Sequence, residues 1–418
     1  MTSKPHFLFL QGMPCSFFSR IAKGLEALGC RATGVNFCIG DAIFWRGPNT
    51  VNFRGRLSEW PEYLEDFIVH NQVTDLVLLG EQRSYHRPAV GIAQAHGLRV
   101  TVTDFGYLRP DWITLERDGM TGNSQFPRDP QQIRTLAASL PEPDWSRQFH
   151  DSSWRMAIAD FSYNLGNLLL WFTFPHYRRS DKRPPTIFYT LSSAKRLLTV
   201  RMGKRGMERK IGSLVDSGCA YFVFPLQLEH DFQIVAYSPF CDLAEAVRLV
   251  IGSFAAHADQ NARLVIKVHP WDPGLRDWRE VVSRIGAEFG IEGRIDLFDG
   301  GNLDDLIRHS RGMVTVNSTS GVRALQMGSR VMTLGQAVYN VQGITYPGTL
   351  DTFWTDGWQP DAGMVHAFFR AMAGTIQIRG VFFAEPGLST VVQESVSRLY
   401  SGTVGMPSAS LVPMRRGA

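Results

Sequence analysis

Short apolar runs alternate with amphipathic stretches along the first hundred residues. Phe7–Leu10 is an unbroken apolar run and predicts a strand, followed by a loop over Gln11–Ser16. Phe17–Leu28 has apolar residues at helical spacing and is closed by Gly29. Arg31–Phe37, Asp75–Leu79 and Arg99–Thr103 predict three further strands, with helices at Pro61–His70 and Pro88–His96. Strands separated by helices of about 10–12 residues imply βαβ units and a parallel sheet. Gln11, Gly12, Asn36, Gly80 and Asp104 then fall on its carboxyl edge, where such sheets take ligands.

The rhythm breaks near Pro110. Gly119–Pro143 is rich in Gly, Pro, Asn and Asp, with helix expected only at Gln131–Ser139, and Trp154–Phe174 reads as a mostly apolar helix. Alternation restarts at Tyr221–Pro225 and predicts further strands at Arg263–Val268, Ile295–Phe298, Gly312–Val316 and Arg330–Leu334. Helices are expected between them at Leu243–His257, Trp278–Phe289, Leu303–His309 and Gly321–Gly328. Two Rossmann-like units in series, with a last helix at Thr390–Tyr400, describe an α/β, GT-B-like architecture with its two domains facing a central cleft. The expected divisions are an N-terminal Rossmann-like domain with a helical insertion over 1–190 and a C-terminal Rossmann-like domain over 191–375. A helical segment with a flexible tail is expected over 376–418.

Composition narrows the class without changing this picture. Of 418 residues 44% are hydrophobic and 20% charged, the balance of a globular protein with room for two domains. His6–Leu10 is too short for a signal peptide, and no run approaches the ~20 apolar residues of a spanning helix. Five cysteines without a CxxC pair point to reduced thiols in a cytoplasm. The net charge of +4 is unevenly placed: Arg178, Arg179, Lys182 and Arg183 form one cluster, and seven more cations lie between Lys195 and Lys210. Such clusters suit phosphates, a nucleic acid or an anionic membrane. They lack the interleaved aromatics of a nucleic-acid platform, so no nucleic-acid partner is expected.

Candidate chemistry gathers at strand ends. VIKVHP (265–270) puts Lys267, His269 and Pro270 there, where a histidine can donate to a phosphate or leaving-group oxygen. A histidine satisfied by backbone is the competing reading. VNSTSG (316–321) offers three hydroxyls, Ser318, Thr319 and Ser320, beside the free N–H groups of a helix start. It reads as an anion site, or as a plain helix cap; it lacks the lysine and glycine spacing of an ATP-hydrolysing P-loop. GEQRSYH (80–86) carries Glu81, Arg83 and His86 on one loop. TDFGYLRPDWITLE (103–116) contains the triplet of a kinase magnesium site, but no glycine-rich loop or HRD-type loop precedes it. Gly106 there reads as a turn residue.

The motif series FLFLQGMPCSFF, GEQRSYHRPA, TDFGYLRPDWITLE, YFVFPLQLEHDFQ, IKVHPWD, VTVNSTSGVRAL and LGQAVYNVQGIT resembles the capsule polysaccharide biosynthesis family of the KpsS/LipB type. The resemblance runs in family order from about residue 6 to about residue 385. It implies a glycosyltransferase that moves β-Kdo (3-deoxy-manno-octulosonate) from CMP-Kdo to the glycerol headgroup of a phosphatidylglycerol-type lipid, full or lyso. The setting it implies is the cytoplasmic face of the inner membrane, peripherally bound, with other capsule assembly proteins as possible partners. The reaction would retain anomeric configuration through a carboxylate nucleophile, with no metal or cofactor.

By that likeness His269, Pro270, Asn317, Ser318, Thr319 and Gly321 would hold the CMP part, with Lys267 and Ser320 beside them. Gln227 and Asp231 would face the cleft, and Arg109 could offer charge to the donor carboxylate. Related sequences often carry two acidic residues before the glycine, whereas Asp104 here is followed by Phe105. Asp104 is therefore the expected nucleophile and Glu116 the reserve. His86 would serve the acceptor hydroxyl, and His269 the departure of CMP. Gln11 and Arg83 are expected on the acceptor side, and Trp171, Phe172, Arg178 and Arg179 in a surface-lying lipid anchor or, alternatively, a core helix with a solvated end. Two competing functions stay open: a nucleotide-sugar transferase for another capsule step, and a non-enzymatic export or assembly factor that binds lipid-linked glycan.

Overall fold

The computed structural model describes residues 4–178, 203, 205–228 and 232–407. The chain divides into two compact units, one formed by residues 1–126, 135–181 and 368–418 and the other by 127–134 and 182–367.

The first unit is built on a seven-stranded sheet in the order β12-β6-β5-β4-β1-β2-β3. Its strands are β1 (His6–Phe9), β2 (Arg31–Asn36), β3 (Asn49–Asn52), β4 (Asp75–Leu79), β5 (Arg99–Phe105), β6 (Trp112–Arg117) and β12 (Gln377–Arg379). The five from β3 to β5 are parallel, and β6 and β12 add antiparallel edges. HFLF and DLVLL are buried along their whole length, as strands covered on both faces must be. Helix Phe17–Ala27 lays Phe17, Ile21 and Leu25 on this sheet.

Three strands escape the sequence pattern. β3 is the polar tetrapeptide NTVN, and β6 lies where the alternation breaks near Pro110. Strand β12 returns from the chain end to pair Gln377–Arg379 with Trp112–Thr114. Helix Gly387–Ser401 follows and packs on Phe17–Ala27 so closely that a Cβ at Gly24 would sit 2.7 Å from Val396 Cγ2. The 376–418 segment, expected as a separate helical piece, thus completes the first unit; its tail, 408–418, lies outside the described residues.

In the second unit all five strands are parallel: β7 (Tyr221–Pro225), β8 (Arg263–Lys267), β9 (Ile295–Phe298), β10 (Gly312–Thr315) and β11 (Val331–Thr333), in the order β11-β10-β7-β8-β9. All five were expected from the sequence, as was helix Leu243–His257, which Asp242 caps through a 2.9 Å bond from Ala244 N. Helix Ala362–Thr375 was not. The α/β class and the two parallel-sheet units expected from the sequence are both present.

Candidate active site

Strand order fixes where each sheet can take a ligand. In both units the first strand lies in the middle, flanked by the second on one side and the fourth on the other: β2-β1-β4 and β8-β7-β10. The connections leave in opposite directions at that point, opening a crevice at the carboxyl ends of the two strands.

In the first unit that point lies between β1 and β4, beside Gln11 and Gly80. Gly80 adopts φ +58°, a left-handed conformation that glycine takes without strain. Above it two charged groups converge: a Cβ at Gly80 would lie 3.7 Å from Asp104 Oδ2 and 3.9 Å from Arg83 Nε. Asp104 ends the buried run of β5 and is half-buried. Burial raises its pKa, while Arg83 and Arg109 pull it back down. Arg109 lies over the Phe105 ring, 5.0 Å from its centroid. Asp104, Arg83 and Arg109 therefore form one electrostatic group, and Phe105 serves as the platform for its third member.

His86 opens the helix His86–Ala95 and is fully buried. Its Nδ1 lies 2.9 Å from the carbonyls of both Leu79 and Gly80, so Nδ1 carries the proton and donates. Burial, with Arg83 nearby, lowers its pKa to about 3. A ring held neutral and out of solvent is poorly placed for the proton transfer expected of it; it braces the turn on which Asp104 and Arg83 meet.

Glu116, the reserve nucleophile, pairs across the hairpin with Val102, two rungs from the Asp104–Thr114 pair. Its carboxyl accepts from Tyr107 Oη at 2.8 Å and bonds Ser124 Oγ, while Tyr107 Oη accepts from Thr121 N. Burial raises its pKa to about 8. Glu116 is thus a protonated structural link at neutral pH, closed off from attack on a ligand. A carboxyl protonated in the fold but ionised in the unfolded chain loses stability as pH rises from about 4.5 to about 8. Its contribution to that slope approaches ~1.4 kcal/mol per pH unit at most. Glu116→Gln should flatten urea-melt stability between pH 5 and 8, where wild type declines. An unchanged slope would mean that Glu116 is ionised in the fold.

Gln11 is likewise spent internally. Its side chain reaches Asp41 Oδ1 at 2.9 Å and Tyr163 Oη at 2.7 Å, and it is 6% exposed. Its amide nitrogen ties helix Ser153–Leu169 to the sheet end. Trp171 and Phe172, in contrast, are 64% and 61% exposed, and Arg178 is exposed too. These two aromatics do not fit the core-helix reading. Arg179 and Asp231 lie outside the described residues.

In the second unit the switch point lies between β7 and β10. Gln227 and Asn317 each stand two residues beyond those strands and bond reciprocally: Gln227 Nε2 donates to Asn317 Oδ1 at 2.9 Å, and Asn317 N to Gln227 Oε1 at 3.1 Å. Both are buried and form the crevice floor. The neighbouring hydroxyl run differs from the expected open anion site. Ser318 takes the Ser320 N–H on its Oγ at 3.1 Å and the Gly321 N–H on its carbonyl at 2.9 Å, so two of the N–H groups expected to be free are consumed. Tyr339 Oη also donates to that carbonyl, at 2.6 Å. Gly321 is required by Tyr339, whose hydroxyl would sit 2.3 Å from a Cβ there. Ser320 Oγ is buried with no partner among the described residues, and Thr319 places no side-chain cap on the helix.

His269 and Pro270 follow β8, and Lys267 is buried at its end. His269 Nδ1 accepts from Trp271 N at 3.1 Å, which puts the proton of the neutral ring on Nε2, a donor suited to a phosphate oxygen. Asp272, passed over in the sequence, builds this loop. It is 5% exposed, accepts from Gly274 N at 2.7 Å and Trp278 Nε1 at 3.1 Å, and donates its own N–H to the His269 carbonyl. An aspartate two residues before a glycine was the available signal. Among the described residues no group of three or more His, Cys, Asp or Glu side chains is placed to hold a metal ion, and no helix is long and apolar enough to cross a membrane.

Two Rossmann-like sheets, each with polar side chains gathered at its switch point, define an α/β protein of the ligand-binding, doubly wound class. The chain belongs to the capsule polysaccharide biosynthesis family, whose model, described as "Capsule polysaccharide biosynthesis protein", matches residues 74–383. It is 30% identical over 388 residues to the capsule polysaccharide export protein KpsS of Escherichia coli, covering 92% of this chain and 98% of that one. It is also 30% identical over 397 residues to the capsule polysaccharide modification protein LipB of Neisseria meningitidis serogroup A, covering 92% and 93%. Among solved structures, Thermosulfurimonas dismutans KpsC, a beta Kdo 2,7 transferase, aligns over 95% of this chain and 99% of its own at 14% identity and TM-score 0.44.

Proposed function

We propose that this protein is a retaining β-Kdo transferase of GT-B-like organisation, with CMP-Kdo as donor and the glycerol headgroup of a phosphatidylglycerol-type lipid as acceptor. It would work at the cytoplasmic face of the inner membrane and start the capsule linker. Family membership supports the pathway, and the motif resemblance supports the donor and acceptor. The observation that carries the chemistry is the convergence of Asp104 and Arg83 over Gly80, with Arg109 close enough to share the field.

In the first step the Asp104 carboxylate attacks the anomeric carbon of Kdo, and the bond from that carbon to the CMP phosphate oxygen breaks. CMP leaves with the bonding electrons. In the second step the glycerol hydroxyl takes the carbon from Asp104, restores the carboxylate and loses its proton to solvent. Arg83 keeps Asp104 ionised despite its burial, and Arg109 pairs with the sugar carboxylate. In the second unit, Nε2–H of His269 serves the departing phosphate, with Lys267, Pro270, Ser318, Thr319 and Ser320 around the nucleotide on the floor set by Gln227 and Asn317. No metal is invoked.

Mass spectrometry of the product from CMP-Kdo and a fluorescent phosphatidylglycerol analogue tests the proposal: the lipid should gain one or more Kdo residues as CMP appears. The word "export" in the name of the Escherichia coli relative favours a second reading, a carrier of lipid-linked glycan. That reading predicts lipid-glycan binding without CMP release.

A further inference from the structure

The first unit holds a cavity of about 430 Å³ that none of the roles above uses. Its size falls within the roughly 300–1,000 Å³ of small-molecule sites. It lies just beyond β1, and Ile43, Phe382, Phe383 and Leu388 give it an apolar lining. Three arginines also line it, Arg20, Arg46 and Arg155, against a single carboxylate, Glu385. Arg20 is committed to that carboxylate, with Nη1 2.5 Å from Oε1. Arg46 and Arg155 are exposed, and among the described residues their guanidinium groups make no hydrogen bond or ion pair. An apolar lining with two uncommitted cations matches an anionic amphiphile.

The wall that carries Arg155 and Ala159 is helix Ser153–Leu169, and that helix turns an apolar stripe outward. Trp154, Ile158, Phe161, Leu165 and Leu169 recur at helical spacing and are 74%, 46%, 57%, 37% and 62% exposed. Large exposed side chains in one contiguous stripe are unusual on a monomer surface and suit insertion at a bilayer interface. Arg155 and the stripe share one helix, and Arg46 lines the same cavity, so a lipid whose phosphate reached the cavity could keep its chains in the same membrane as the stripe. Phe382, in the cavity lining, also packs edge-on against Phe105, the neighbour of Asp104, at 5.3 Å between ring centroids.

We infer that this cavity binds the phosphate-bearing headgroup of an anionic membrane lipid, clasped by Arg46 and Arg155, while the Trp154–Leu169 stripe lies in the bilayer. The site deepens the acceptor side of the function proposed above and rests on that reading only for its purpose, since lipid binding is measurable without transfer.

Flotation with phosphatidylglycerol-containing and pure phosphatidylcholine vesicles tests it. Wild type should float with the anionic vesicles and not with the neutral ones. The double substitution Arg46→Gln/Arg155→Gln should weaken that binding roughly 30-fold at unchanged melting temperature. Trp154→Ser/Phe161→Ser should abolish what binding persists at high salt. Equal flotation of the arginine double variant and wild type would overturn the site. So would full displacement by millimolar sn-glycerol 3-phosphate, which would make it a soluble-phosphate site with no need of a lipid. Arginine-dependent flotation without any Kdo-lipid product would leave the cavity standing and remove the transferase reading. A Kdo-glycerol product from a water-soluble glycerol acceptor, made equally by wild type and the arginine double variant and with equal flotation, would do the reverse.

Discussion

Asp104→Asn will abolish Kdo transfer, by a factor of about 10³ or more, while the protein folds and melts as wild type does. The substitution is nearly isosteric, and the one hydrogen bond made to this carboxyl among the described residues, from Phe105 N to Oδ1 at 2.7 Å, survives on an amide oxygen. What is lost is the negative charge over Gly80 and the nucleophilic lone pair. Burial raises the pKa of Asp104, so the ionised, reactive form fills only as pH climbs through a value above the ordinary aspartate range. Activity should therefore rise with pH on its acid side. Arg83→Gln should move that limb further upward, because the charge opposing burial is gone, and this displacement separates an electrostatic role from a merely structural one. Retention of full transfer by Asp104→Asn would remove the proposed nucleophile, whereas lipid-glycan binding with no CMP release from wild type would leave the carrier reading.

The parts legible in the sequence are those governed by local pattern. VFP, VIK and the other buried runs of the second unit announce themselves because a parallel strand covered on both faces is apolar throughout. Gly80 and Asp104 were legible as strand-end residues, since a βαβ unit puts such positions on the ligand edge. The misses have one cause: long-range pairing leaves no local trace. Strand β12 is three residues long and becomes a strand only because Trp112–Thr114 is waiting for it. Gln11 reads as a free polar group at a strand end until Asp41 and Tyr163, 30 and 152 residues away, consume it. His86 reads as a loop histidine until the fold buries it against two carbonyls.

Asp111 is the extreme case of that rule, and Asp111→Ala should destabilise the protein by about 3–5 kcal/mol in urea unfolding. In the sequence it is one more polar residue after a proline. In the fold it is 1% exposed, at the turn between β5 and β6. Its Oδ1 meets Arg379 Nη1 at 3.0 Å, and its Oδ2 accepts from Gln148 N at 2.7 Å and Phe149 N at 3.0 Å. One carboxylate thus ties the hairpin, the segment leading into helix Ser153–Leu169, and the returning strand β12. Arg379 is itself stacked on Trp112, 3.8 Å from the ring centroid, and largely buried. Removing the carboxylate leaves that cation without its counter-charge and two backbone N–H groups without their acceptor, which costs more than the pair contributed. Asp111→Asn keeps an acceptor oxygen and should cost clearly less, whereas Arg379→Met removes the cation instead. Combined with Asp111→Asn it should recover part of the loss, because no buried charge is then left alone. Additive losses in that double variant would show that the two residues act independently, and the chain end would then owe its place in the first unit to the β12–β6 pairing and the packing of helix Gly387–Ser401.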